Sequence, residues 1–297
     1  MSSLYIGTCS WKYPSWKGLV YSAAGNINYL AEYSQKYKTV EVDQWFWSLF
    51  SENAPALPKE DTVKEYIDSV PTDFLFTIKV PNSITLTHFY KKKGDKELTP
   101  NRHFLSLELF GQFLDRINPM ASSIGMLMLQ FEYLNKQKMK SEDEFLEQLG
   151  NFLKKVPRKY PIAIEPRNPN YLNVRYFDFL SAHDCSHVFL QGYYMPSIVE
   201  VYTKNKDFIG KTVVIRLHGT ERGAIEEKAG DKWNEIVEPK DGEIDSIADM
   251  IRELKSKGVN IFLNINNHYE GSAPLTIKKI EKIIFDDSSQ IAKPKQD

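Results

Sequence analysis

Val259-Asn-Ile-Phe-Leu-Asn-Ile-Asn-Asn-His-Tyr-Glu-Gly-Ser-Ala-Pro274 (VNIFLNINNHYEGSAP) begins as a buried strand and ends in amides and an imidazole. A strand that only fills a core has no use for Asn264, Asn266, Asn267 and His268, because burying such groups without partners costs about 1–3 kcal/mol each. An apolar body with a polar C-terminal end is therefore a pattern to trace through the rest of the chain.

The pattern recurs. Short β-rich runs stand at Leu4–Ser10, Thr39–Asp43, Phe74–Val80, Ile124–Gln130, Ile162–Arg167, Ser186–Gln191, Thr212–Gly219 and Asn260–Asn267. Helical patterns lie between them. At Ser141 a capping box with Glu144 opens a helix that places Phe145, Leu149, Phe152 and Val156 on one face, and Pro157 helps to stop it. A second helix carries Ile244, Ile247, Ala248, Ile251 and Leu254, has Lys255 and Lys257 in its last turn, and stops at Gly258. Strands that alternate with helices indicate a parallel α/β sheet. Eight such units in 297 residues match a single (β/α)8 TIM-type barrel, expected over residues 1–285 with a flexible tail at 286–297. Ala54–Asp61, His88–Pro100 and Lys204–Lys211 fit the scheme least well, and the basic run Lys91–Lys96 reads as a solvated loop.

Lys plus Arg (38) nearly equals Asp plus Glu (39), a net charge of −1, so no general attraction to nucleic acid or membranes is implied, and only a local basic groove would bring nucleic acid in. Cys9 and Cys185 are too few for a disulfide framework and read as free thiols of a reducing compartment. With no signal pattern before Leu4 and no apolar run of spanning length, the chain reads as soluble and cytoplasmic.

Side chains alternate along a strand, so Glu41 travels with Asp43, Glu165 with Arg167, Arg216 with His218, and Asn264 with Asn266. Lys79, Gln130 and Gln191 end three further strands, and Thr8 and Ser10 end the first. In a barrel these ends meet at the rim where active sites of the fold lie, so Asn267 and His268 would sit over the mouth. Internal pairs such as Glu41–Arg216 or Glu165–Arg167 are the plainer reading for any one of them. After the first two strands come SWKYPSWKGLVY and DQWFWSLF. From these, Trp16 and Trp47 are expected to cap the core, whereas Trp11, Tyr13 and Phe46 are expected to offer faces for a sugar ring or nucleobase.

The blocks IGTCSWKYPSWKGLVY, VEVDQWFW, KVPNSITLTH, IEPRN, RLHG and NNHYEGSAP together resemble the YecE-like family, domain-of-unknown-function family 72, in order and over nearly the whole chain. The resemblance implies a TIM barrel with a polar pocket and names no reaction. By motif it points to Gly7, Trp11, Tyr13, Trp16 and Gly18, then Glu41, Phe46, Lys79 and His88, then Gln130, Glu165, Arg167, Arg216, His218, Gly219, Asn266 and Asn267. After Gln130 the chain has FEYLNKQKM in place of a proline-containing QLPP turn, so no shared contact from Phe131 or Glu132 is implied.

Lys79, Arg167 and Arg216 suit an anionic group, Arg by bidentate recognition. Glu41, Glu165, His88 and His218 suit general acid or base roles, and Lys79 beside them completes the catalytic candidates. Trp11, Tyr13, Asp43, Phe46, Gln130, Arg167, Arg216, Asn264, Asn266, Asn267 and His268 are the binding candidates. The expected activity is a hydrolase or lyase type of step on a small phosphorylated or carboxylated, sugar-like or nucleotide-like molecule. Alternatives are a non-catalytic binding protein for an anionic metabolite or nucleic-acid end, and a divalent-metal enzyme using His88, His218, His268, Glu41, Asp43 and Glu165. No cofactor is indicated otherwise. Cys9 reads first as a small buried hydrophobe.

Overall fold

The computed structural model describes residues 2–22, 25–50, 55–90, 97–219 and 221–286. The basic run at 91–96 and the expected tail from 287 onward lie outside the described residues.

Eight parallel strands close into a barrel in chain order: β1 (Leu4–Thr8), β2 (Thr39–Val42), β3 (Leu75–Lys79), β4 (Ile124–Gln130), β5 (Ile162–Glu165), β6 (Ser186–Gln191), β7 (Thr212–Leu217) and β8 (Asn260–Ile265). All eight lie where the apolar runs predict them. Several stop one or two residues early. The helices are α1 (Tyr29–Lys36), α2 (Glu60–Asp68), α3 (Asn82–Thr85), α4 (Leu107–Ile117), α5 (Glu142–Leu153), α6 (Val174–Ala182), α7 (Ile198–Asn205), α8 (Arg222–Ala229), α9 (Asp241–Ser256) and α10 (Ala273–Asp286). None of them is long and apolar enough to cross a membrane.

Contacts gather the chain into two compact units. One holds residues 1–40, 189–206 and 211–297, and the other holds residues 41–188 and 207–210. In the first, β8 pairs with β7 from Thr212↔Asn260 to Leu217↔Ile265 and with β1 from Leu4↔Ile261 to Thr8↔Ile265. This register puts both Gly7 and Arg216 opposite Asn264. Ile244, Ile247, Ala248, Ile251 and Leu254 of α9 are fully buried, and the helix packs on α10, α7 and β8. Each fully buried aliphatic side chain contributes about 1.5–3 kcal/mol. The helix ends in a Schellman turn: Gly258 takes φ +80°, its N–H donates to Lys255 O, and the Val259 N–H donates to Leu254 O.

In the second unit, β4 pairs with β5 so that Gln130 stands opposite Glu165. The Ser141 hydroxyl accepts from Glu144 N–H as the capping box predicts, but the Glu144 carboxylate reaches one residue further back and accepts from Lys140 N–H at 2.8 Å. Phe145, Leu149 and Phe152 are buried, with Phe145 edge-on to Phe131 and Phe152 edge-on to Phe110.

Candidate functional site

The polar ends of β2 to β5 lie within the second unit. Glu41, Lys79, Gln130 and Glu165 are all buried, whereas Asp43 is half-buried. Arg167 lies just past β5 and sends Nε and Nη2 to Glu165 Oε1, each at 3.2 Å, so this same-side pair is an ion pair. Lys79 Nζ sits 4.0 Å from the centroid of the Phe46 ring. The backbone that carries this ring is tied to α3: the Asn82 N–H donates to Phe46 O at 2.7 Å, and Asn82 Oδ1 accepts from Ser48 N–H and Leu49 N–H. His88 is half-buried after α3 and bridges to Pro100, with Nδ1 2.9 Å from Thr87 Oγ1. Burial, aided by the Lys138 charge, holds its pKa below the ordinary histidine value while Glu132 opposes them.

The two tryptophans expected to cap the core behave differently. Trp16 is fully buried and donates Nε1–H to Trp233 O at 2.9 Å, whereas Trp47 is 57% exposed. Trp45, Phe46 and Trp47 are adjacent where the chain turns after β2, so successive rings diverge: the first two face inward and the third faces solvent.

The first unit has its own cluster. Arg216 in β7 is 1% exposed, His218 follows that strand, and Cys9 follows β1. Cys9 Sγ lies 3.6 Å from His218 Nε2, and Tyr193 Oη lies 3.2 Å from His218 Nδ1. Trp11 is buried, and half-buried Tyr13 packs on Trp16 with ring centroids 4.6 Å apart. Beyond β8 the polar residues divide their work. Asn264 is buried within the strand. Asn266 Oδ1 accepts from His268 N–H and lies 2.5 Å from His268 Nδ1. Asn267 Oδ1 accepts from Ala273 N–H, which ties the strand end to the start of α10. His268 Nε2 lies 3.0 Å from Glu226 of α8, and its ring packs near Trp233. Burial holds the His268 pKa below the ordinary value, with Glu226 pulling it back up and the Arg222 charge adding to the fall.

Tyr193, Arg222, Glu226 and Trp233 are the members of this cluster that sequence patterning does not single out. The usable signal for Tyr193 is its position directly after a strand, in Gln191-Gly-Tyr-Tyr194. The six residues considered as metal ligands do not assemble: among the described residues no three His, Cys, Asp or Glu side chains stand where they could hold one ion. The side chains on hand are buried cations, buried carboxylates, and a thiol 3.6 Å from an imidazole nitrogen.

The family model for "Protein of unknown function DUF72" matches residues 5–297. The chain belongs to the DUF72 family. Two solved DUF72 family proteins are similar to it. The protein from Thermotoga maritima MSB8 is 19% identical, with 95% of this chain and 99% of that one covered at a TM-score of 0.66. The protein from Enterococcus faecalis V583 is 18% identical, with 95% of both chains covered at 0.65. At these identities the likeness to the two DUF72 structures concerns the fold. No curated protein matches the chain.

Proposed function

We propose that this DUF72 protein is an enzyme that applies acid/base chemistry, of hydrolase or lyase type, to a small anionic substrate at the C-terminal ends of its strands. The substrate class is a phosphorylated or carboxylated molecule, sugar-like or nucleotide-like. One observation carries the reading: Glu41, Glu165 and Lys79, all of the second unit, lie at such ends and are each more than nine-tenths buried. Stability does not account for this, because a buried ion costs several kcal/mol in desolvation and apolar replacements of buried pairs are often neutral or stabilising. In barrels of this kind the catalytic residues come from the strand ends. Lys79 would bind the anionic group, while Glu41 and Glu165 would act as acid and base. Two free thiols, Cys9 and Cys185, fit a reducing compartment such as the cytoplasm.

The test is a panel of phosphoesters, glycosides and sugar acids, followed by Glu41→Gln and Glu165→Gln on whichever substrate turns over. The expected result is binding largely kept and kcat reduced by 10²–10⁴-fold, roughly the contribution of general acid/base catalysis. Binding of panel compounds with no turnover would instead make the protein a receptor for an anionic metabolite.

A further inference from the structure

The loop that follows β6 takes a backbone path its residues resist. Gly192, Tyr193 and Tyr194 succeed one another at φ values of +114°, +53° and +62°. Two consecutive aromatic residues in the left-handed region persist only where the surroundings hold them there, and such strain gathers at functional sites.

The bend places one hydroxyl. Tyr193 Oη comes within 3.2 Å of His218 Nδ1. The approach requires glycine before it: a Cβ on Gly192 would lie 2.5 Å from His218 O. The His218 N–H donates to Gln191 O at 2.8 Å, so loop and imidazole are fixed to each other. The second ring nitrogen, Nε2, points to Cys9 Sγ at 3.6 Å. Nucleophile, base and orienting group thus stand in one line, the arrangement by which thiols and hydroxyls are activated. If Cys9 donates its S–H to Nε2, Nδ1 carries the ring proton and donates it to Tyr193 Oη.

We propose that Cys9 is a nucleophile with His218 as its base and Tyr193 as a positioning residue, and that it attacks the acyl carbon of a small ester or thioester bearing an anionic group. This rests on the reading above that the strand ends form an active site. His218 Nε2 takes the thiol proton as the sulfur–carbon bond forms. The acyl bond to the leaving oxygen or sulfur then breaks, and His218 returns the proton to the departing group. Water next attacks the Cys9 thioester, giving its proton to His218, and the thiol is regenerated as the acid leaves. No oxidant or reductant enters.

Cys185 supplies an internal comparison. It is buried as well, but its thiol lies near the Arg158 guanidinium and His183 O, and burial raises its pKa. The experiment is peptide-resolved mass spectrometry of the intact chain treated with iodoacetamide from pH 5 to 9. At pH 6.5 Cys9 is expected to alkylate about tenfold faster than Cys185, because an adjacent imidazole accepts its proton as it reacts. His218→Gln should remove that advantage and move the rise of the Cys9 rate towards the ordinary thiol value of about 8.5. Tyr193→Phe, which keeps the ring, should shift the profile partway, and Cys185 should be unchanged throughout. Mono-(4-nitrophenyl) succinate should leave an acyl adduct on Cys9 that His218→Gln abolishes. Equal rates for the two cysteines, a Cys9 rate indifferent to His218→Gln in a variant with a native circular dichroism spectrum, or the absence of both an acyl adduct on Cys9 and a Cys9-dependent release of 4-nitrophenol would each overturn the proposal. Failure of the wider reading looks different: it is the absence of any Glu41- or Glu165-dependent turnover, whatever Cys9 does.

Discussion

The ammonium of Lys79, at the last position of β3, stands over the face of Phe46 at 4.0 Å from the ring centroid. Both residues are buried, so the cation is desolvated and the ring quadrupole acts with little screening, a situation worth about 2 kcal/mol. A double-mutant cycle with Phe46→Leu and Lys79→Met, read by urea unfolding, should therefore return a coupling of about 1–2 kcal/mol. Additivity within about 0.5 kcal/mol would mean that the ring is only packing.

His187 makes the fold sensitive to acid. It is buried beside Tyr176, with Nδ1 3.1 Å from Tyr176 Oη, and burial drives its pKa down to about 3 although the Glu165 charge acts the other way. Between the ordinary histidine value near 6.5 and about 3, the unfolded chain binds a proton there that the folded chain refuses. The contribution is complete above that window and is lost as pH falls through it, at up to about 1.4 kcal/mol per pH unit. Urea midpoints measured at pH 7 and pH 4.5 should fall further in the wild-type chain than in His187→Gln. Parallel falls would show that His187 is not the source.

The fold was legible because burial on both faces of a parallel strand writes a continuous apolar run, and in five of the eight strands the last residue is polar: Thr8, Lys79, Gln130, Glu165 and Gln191. Same-strand pairing was legible for the same reason, as Arg167 on Glu165 illustrates. Contacts set by loops were not. Tyr193 reaches His218 through a left-handed bend, and Glu226 reaches His268 from a helix 42 residues away, and neither carries a periodicity. Trp47 reads as a cap on the core and Phe46 as an open face, yet one step along a turn sends the first to solvent and buries the second beneath a lysine. Asn267 read as a group for a ligand; its Oδ1 is engaged by the first N–H of α10, a structural role that the residue type alone did not reveal, while its buried Nδ2 has no hydrogen-bond partner among the described residues.

The His268–Glu226 contact predicts a signed shift. Burial and the Arg222 charge lower the imidazole pKa, and the carboxylate is what opposes them. Glu226→Gln keeps the shape and removes the opposing charge, so the His268 titration midpoint should drop further below the ordinary value. Histidine ring signals followed by NMR from pH 4 to 8 would measure it, and a midpoint that stays or rises would show that the ion pair does not persist in solution.

Gly219 tests the close packing behind the same histidine. A Cβ at this position would lie 2.0 Å from His268 O, which is backbone against backbone. The neighbour has little freedom to give way, because the His268 N–H is held by Asn266 Oδ1 and the Tyr269 N–H by Asn266 O. Gly219→Ala should therefore cost about 3 kcal/mol or more, in the range reserved for overpacked cores and broken networks. Four residues on, Gly223 lies in α8 with open space where its Cβ would go, and Gly223→Ala should stabilise the helix by up to about 1 kcal/mol. Opposite signs from two identical substitutions, read as urea midpoints, would establish that the cost belongs to the contact with His268 and not to the loss of glycine itself. A Gly219→Ala midpoint equal to that of Gly223→Ala would mean that the turn at 266–269 can move aside, and with it the frame that holds His268 against Glu226.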